Sequence, residues 1–288
     1  NGGYTYDGKY RSDWHLEMTA PPLSSRSFVF KNRAFQLQPL QVQQQNIQVE
    51  EVYLDINQSW TKADFKTIWE AVKDKSVYVY TDRLIQLNND NKSDLFKQLA
   101  RLNFSIFPFH KIKNPQQALV ISAYGSLTPT LSELANRRMR FRSLQVDSTQ
   151  SDFAEQLNIF LQANESAIPV FHLGGEVTTY LKTLEEVRAI RLHRGELSDL
   201  SGVLSQQQFP IIQEEENLLA LPVSEIAIRE LEASILTSQA PDLLMRLYVY
   251  NDLMRKIGRN YFASDYLQDS LIQMASEATV LSPISSFV

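Results

Sequence analysis

The 288-residue sequence predicts an α/β fold: a doubly wound, mostly parallel sheet covered by helices and followed by a C-terminal helical extension. From Val49 onward, short apolar strands alternate with amphipathic helical segments, the order of a parallel sheet with helices packed over it. Those strands are near-continuous apolar runs, as strands buried on both faces require. Beyond Pro222 the pattern turns purely helical. The expected organisation is an arm or linker at 1–27, an α/β domain at 28–221 and a helical extension at 222–288 packed on that domain.

Residues 1–27 carry Gly2, Gly3, Gly8, Pro21 and Pro22 among scattered aromatic residues with no apolar period, which reads as an extended arm. Phe35 to Val49 alternates apolar residues with glutamines and predicts a half-buried strand. Val52-Tyr53-Leu54 predicts a buried strand that reaches Asp55. Thr61 precedes Asp64 by three residues, a capping-box start for a helix with Phe65, Ile68, Trp69 and Val72 on one face. Further strands are expected at Val77 to Tyr80, Phe104 to Phe109, Ala118 to Ser122, Arg138 to Arg142 and Ile168 to Leu173. Helices are expected at Ser93 to Leu102, over 152–163 and around Leu181, Leu184 and Val187. In the extension, one helix carries Ile226, Ile228, Leu231 and Ile235, and a second runs from Leu243 to Ile257 and stops at Gly258. A third, capped by Ser264 or Asp265, carries Leu267, Leu271, Ile272 and Met274.

The chain is 43% hydrophobic, enough for a substantial core, so global disorder is not expected. A net charge of −5 gives no long-range attraction to nucleic acid or an anionic membrane. With no cysteine, disulfides, thiolate metal sites and cysteine nucleophiles are excluded. No run approaches the roughly 18 apolar residues of a membrane-spanning helix, so this segment itself is expected to make no membrane contact. The Asn1-Gly2-Gly3 start and apolar end at Val288 suggest a piece of a larger protein.

Enzyme signatures are mostly missing: no phosphate loop, no Gly-x-Ser-x-Gly elbow and no His-Glu-x-x-His helix. The histidines His15, His110, His172 and His193 are far apart in sequence, Gly174-Gly175 reads as a turn, and Glu214-Glu215-Glu216 reads as a solvated loop. A hydrolase or transferase would require Asp55, His110, Tyr124 or His172 to converge in a pocket. The most informative string is Leu54-Asp55-Ile56-Asn57-Gln58-Ser59, placed where a central strand meets the first helix. Open α/β sheets bind ligands at the carboxyl ends of their strands. Asp55, Asn57 and Ser59 there offer hard oxygen donors to a magnesium-like ion, and the same string also reads as a helix-capping turn.

Asp55-x-Asn57-x-Ser59 after an apolar strand resembles the Asp-x-Ser-x-Ser signature that opens the metal-ion-dependent adhesion site of von Willebrand factor A domains. Leu271 to Val288 is similar to the helix and Thr-Pro-x-Thr-Ser segment that follow the A domain in VIT-domain proteins. These include the inter-α-trypsin-inhibitor heavy chains and bacterial, in part exosortase-associated, envelope proteins. The resemblance implies an A-like, Rossmann-type fold and an extracytoplasmic or membrane-anchored parent protein. It also places a ligand-binding edge at Asp55, Asn57, Ser59 and Tyr124. Tyr124 stands where the family's second aspartate belongs, and the family's Gly-Gly-Thr segment is not recognisable between Asp82 and Ala118. The resemblance therefore implies a degenerate adhesion site without cofactor, its edge covered by the Tyr124 ring, in a non-enzymatic protein-binding or structural module. The alternative it leaves is an adhesion receptor in which Asp55, Asn57 and Ser59 hold Mg or Ca to recruit a partner's carboxylate.

Overall fold

Residues 27–30, 33–102, 107–123, 149–174, 177–212, 215, 217–221, 226–231, 242–262 and 268–282 are described by the structure, a computed structural model. In chain order the first strands are β1 (Ser27–Phe30), β2 (Arg33–Pro39), β3 (Val42–Asn46), β4 (Glu51–Asp55), β5 (Ser76–Tyr80) and β6 (Leu84–Gln86). They continue as β7 (Ala118–Ala123), β8 (Ile168–Leu173), β9 (Ile190–Gly195), β10 (Gln208–Ile212), β11 (Leu218–Leu221) and β12 (Ile226–Leu231). The α-helices are α1 (Lys62–Val72), α2 (Lys92–Leu99), α3 (Thr149–Ala163), α4 (Thr179–Glu186), α5 (Leu197–Gln206), α6 (Asp242–Ile257) and α7 (Asp269–Glu277). None of the described helices is long and apolar enough to cross a membrane. The chain divides into two compact units. One takes residues up to Val42 with Ile212–Val249, the other Gln43–Ile211 with Tyr250–Val288.

The larger unit is built on a six-stranded sheet in the order β6-β5-β4-β7-β8-β9. Counted along the chain this is 3-2-1-4-5-6, the doubly wound order whose switch point lies between the first and fourth strands, here β4 and β7. All ladders are parallel except that of β6 with β5, so an antiparallel hairpin forms one edge. Alternation along β4 sends Val52 and Leu54 to one face and Glu51, Tyr53 and Asp55 to the other. The first face packs with Val77, Val79, Leu119, Ile121 and Phe171 against α1, α2 and α5 in one apolar cluster. Helix α1 starts where Thr61 Oγ1 accepts the Asp64 N–H at 3.0 Å and Asp64 Oδ2 accepts the Thr61 N–H at 3.2 Å, a complete capping box. Its Phe65, Ile68, Trp69 and Val72 recur at helical spacing and are all buried, and Phe65 stacks on Phe96 of α2 at 4.5 Å between centroids. Each such side chain, fully buried, contributes about 1.5–3 kcal/mol, so Phe65→Ala would break the contact between the two helices.

On the other face a row of rings runs from Tyr78 through Tyr53, Phe107 and Phe109 to Tyr180 of α4, with centroids 5.3, 5.9, 5.3 and 6.2 Å apart in turn. After Tyr250 the chain returns to this unit. Gln162 Nε2 of α3 donates to Asn260 Oδ1 at 2.8 Å, Arg259 donates to the Glu165 carbonyl, and the Tyr250 hydroxyl meets Glu186 Oε2 of α4 at 3.4 Å. Burial and the neighbouring Glu186 push the Tyr250 phenol up to about 12. Strands β3 and β10 pair as a separate two-stranded sheet.

The smaller unit contains an antiparallel sheet in the order β1-β2-β12-β11. Ala34, Phe35 and Leu37 of β2 and all four residues of β11 are buried, together with Met245, Tyr248 and Val249 in the first turns of α6. Arg33 makes a bidentate pair with Glu230 at 2.7 and 2.9 Å while lying over the rings of Phe35 and Tyr248. This joins β2 to β12 across a sequence separation of 197 residues.

Three expectations are corrected. Ile226, Ile228 and Leu231 lie on a strand, not a helix: β12 pairs with β11 on one side and β2 on the other. The β-branched Ile226 and Ile228 stand two apart, a spacing compatible with either period, and the two ladders decide it. The stretch from Phe35 to Val49 is two strands, interrupted after Pro39, and they enter different sheets. Of the strand expected from Phe104 to Phe109, residues 104–106 lie outside the described residues, and Phe109–Lys111 forms a short 3-10 helix. Pro108 offers no N–H to a ladder, and Phe107 and Phe109 pack their rings onto the sheet face instead of extending it. The arm up to residue 26, the Arg138–Arg142 strand, Ile235 and the caps at Ser264 and Asp265 also lie outside the described residues.

Candidate functional site

The carboxyl end of β4 delivers Asp55, and the connection to α1 delivers Asn57 and Ser59. Asp55 and Asn57 are both buried, at 6% and 3% exposure, although they belong to a strand end and a loop. The loop is rigidly specified. Asn57 Oδ1 accepts the Ser59 N–H at 2.9 Å, a side chain imitating a backbone turn, and the Asn57 carbonyl accepts the Trp60 N–H at 3.1 Å. The Trp60 indole N–H returns to the Asp55 carbonyl at 2.9 Å, and the Gln58 N–H reaches the Leu102 carbonyl at 2.8 Å. At its other end, the Asn57 amide donates through Nδ2 to the Ala123 carbonyl at 2.7 Å. That bond spans the switch point between β4 and β7, so both ends of the Asn57 amide bind within the fold.

Two side chains not assigned to the edge from sequence stand beside Asp55. In the ladders Asp55 is opposite Ser122, Ser122 is opposite His172, and His172 is opposite Arg194. Residues in register on parallel neighbours share a face, so the four form a row across β4, β7, β8 and β9. Ser122 and His172 are buried, and Ser122 Oγ shares a 2.9 Å hydrogen bond with His172 Nδ1. Arg194 pairs with Glu185 of α4 at 3.3 Å. Above the row, the Tyr180 hydroxyl donates to the Phe107 carbonyl at 3.2 Å. Burial and the negative charge of Asp55 push this phenol far above its ordinary range, so it remains a neutral donor.

The structure thus brings Asp55, Asn57 and Ser59 to one edge and adds Ser122, His172 and Tyr180 to it. Tyr124 lies outside the described residues. His110 is not part of this row. It sits in the short 3-10 helix of the connection that enters β7 at its amino end, where burial, reinforced by the charge of Lys111, lowers its imidazole to about 4. In a nucleophilic triad the imidazole stands between serine and carboxylate, one nitrogen for each. Here the serine takes the middle place, and the imidazole's Nδ1 is engaged by that hydroxyl.

Sequence reasoning assigned neither Ser122 nor His172 to this edge, naming His172 alone, among the residues that a hydrolase or transferase would have to bring together. Each is the last polar interruption of a buried apolar strand, in Ile121-Ser122-Ala123 and Phe171-His172-Leu173, which was the available signal. Tyr180 carried none, because its reach to the edge depends on where Thr178 caps α4. Compared with known families and curated proteins, the sequence matches no family and no curated relative.

Proposed function

We propose that the larger unit is a von Willebrand factor A-like module of a larger envelope protein, acting as a protein-binding or structural element without a bound cation and without catalysis. The observation that carries this reading is the Asn57 strut. Its bond to the Ala123 carbonyl ties the loop after β4 to β7 across the switch point, the place where open α/β sheets receive ligands. The doubly wound order and the location of Asp55 at the carboxyl end of the first strand support the A-like assignment. The donor chemistry supports the cation-free reading. A hard divalent ion takes about six oxygen ligands and draws much of its affinity from anionic ones. Asp55 is the one carboxylate in the Asp55-Asn57-Ser59 string, and the Asn57 oxygen already accepts the Ser59 N–H.

Urea unfolding in EDTA and in millimolar magnesium or calcium tests the reading. A cation held a hundredfold below its working concentration would add about 2.7 kcal/mol to stability. Superimposable curves are expected. A cation-dependent gain of that size, lost in Asp55→Ala, would replace this reading with the metal-dependent adhesion receptor.

A further inference from the structure

We propose that His193 is an acid-released clip between the edge strand β9 and the β3–β10 ribbon: its uncharged ring packs against Phe171 of the sheet and Phe209 of the ribbon, and protonation loosens the ribbon. In the ladder of β8 with β9, His193 is opposite Phe171, with ring centroids 5.3 Å apart and planes at 66°. The Phe209 ring of β10 lies 6.1 Å from it at 77°. Both phenyl rings have no exposed surface and belong to the apolar cluster that α1, α2 and α5 cover, whereas His193 is half-buried. One imidazole therefore touches the six-stranded sheet and the two-stranded one. The ribbon is also where the chain enters the larger unit, at Gln43 in β3, and first leaves it, after Ile211 in β10.

Few charges face this ring. Strands β3 and β10 carry no titratable side chain, and β8 carries one, His172, on the opposite face of the sheet. On β9 itself Arg191 shares the face of His193 and donates to Gln45 of β3, while Arg194 lies on the other face. Helix α5 supplies Asp199, whose Oδ2 accepts the Glu196 N–H at 2.8 Å in the capping box that starts the helix. Burial, partly offset by the Asp199 carboxylate, holds the His193 imidazole below its ordinary value. A ring released to water takes up its proton at about 6.5. The packed joint is thus fully favoured above that value and loses ground as the pH falls from there, its opening constant rising by at most about tenfold per pH unit. The clip depends on packing within the larger unit and does not rest on the proposed function.

The test is amide hydrogen exchange on the whole chain and on its His193→Phe variant from pH 7.5 to 5, corrected for the intrinsic rate at each pH. Phenylalanine keeps a ring in the joint and does not titrate, and the other histidines are common to both proteins. The reporter is the Ile47 N–H, which donates to the Gln207 carbonyl at 2.8 Å beside the ribbon, and the amides of β4 report opening of the sheet. In the wild type the Ile47 opening constant should rise between pH 6.5 and 5 by more than that of β4, and in His193→Phe this excess should vanish. An Ile47 constant with the same pH dependence in both proteins overturns the clip, as does a wild-type rise that β4 shares in full. Should the variant fail to fold, NMR of the labelled wild type decides. A His193 midpoint below 6.5 with Ile47 opening that follows it supports the clip, and a midpoint at or above 6.5, or Ile47 opening that ignores it, overturns it.

Discussion

At the amino end of the six-stranded sheet, Glu51 Oε2 accepts the Tyr53 hydroxyl at 2.5 Å and the Asn114 N–H at 3.3 Å, while the Lys113 N–H donates to the Tyr53 oxygen at 3.0 Å. Lys113 Nζ lies 4.4 Å from the Tyr78 ring centroid. At the carboxyl end the side chains of Asn57, Ser122 and His172 are buried, and the hydrogen bonds run across the sheet, from Asn57 to the Ala123 carbonyl and between Ser122 and His172. The amino end is a charged clasp that fixes how the chain enters β7. Burial at the carboxyl end leaves little solvent to rescue a broken bond, so a single substitution there should cost more.

The largest effect is therefore expected for Asn57→Ala. It removes the Asn57 bonds to the buried Ala123 carbonyl and to the part-buried Ser59 N–H, and a buried polar group so stranded costs about 1–3 kcal/mol. A loss of about 2–4 kcal/mol in urea unfolding is expected, and a loss below about 1 would mean the strut is dispensable. Tyr53→Phe, at the other end, should cost about 1–2 kcal/mol, because Glu51 keeps the Asn114 N–H.

Acid sharpens the comparison from another direction. His110 in the segment leading to β7 is held neutral, its value lowered to about 4 by burial first and Lys111 second. Its contribution is complete above the unfolded value of about 6.5 and is lost as the pH falls from there towards about 4. Because the ring is only half-buried, solvent screening reduces this to about 1 kcal/mol. His110→Gln should flatten the acid limb of stability by that amount, measured by unfolding at pH 7 and 4.5. The smallest effect belongs to exposed ion pairs outside both ends. Lys97→Ala, which removes the 3.2 Å pair with Asp94 on α2, should change stability by less than about 0.5 kcal/mol.

The parallel sheet was far more legible in the sequence than the antiparallel one. Strands such as Ala118–Ala123 and Ile168–Leu173 are apolar throughout because both faces are covered, and that run is visible without any partner. Strand β12 has no such mark. Its identity comes from Leu218–Leu221 and from Arg33–Pro39, the latter nearly two hundred positions away, and no local pattern reports a partner at that distance. The edge was legible in part. Asp55, Asn57 and Ser59 were found because they are contiguous and follow a readable strand. Ser122 and His172 join them only through register, which is fixed by packing across the whole sheet. The dual engagement of Asn57 was equally hidden, since its partner Ala123 is 66 residues away.

The central proposal is that this carboxyl edge, tied by the fold's own hydrogen bonds, functions without a cation. Titration calorimetry with magnesium, calcium and manganese, on the wild-type chain and on Asp55→Ala, tests it most directly. The account predicts no binding tighter than millimolar in either protein. Micromolar binding by the wild type that disappears in Asp55→Ala would contradict it.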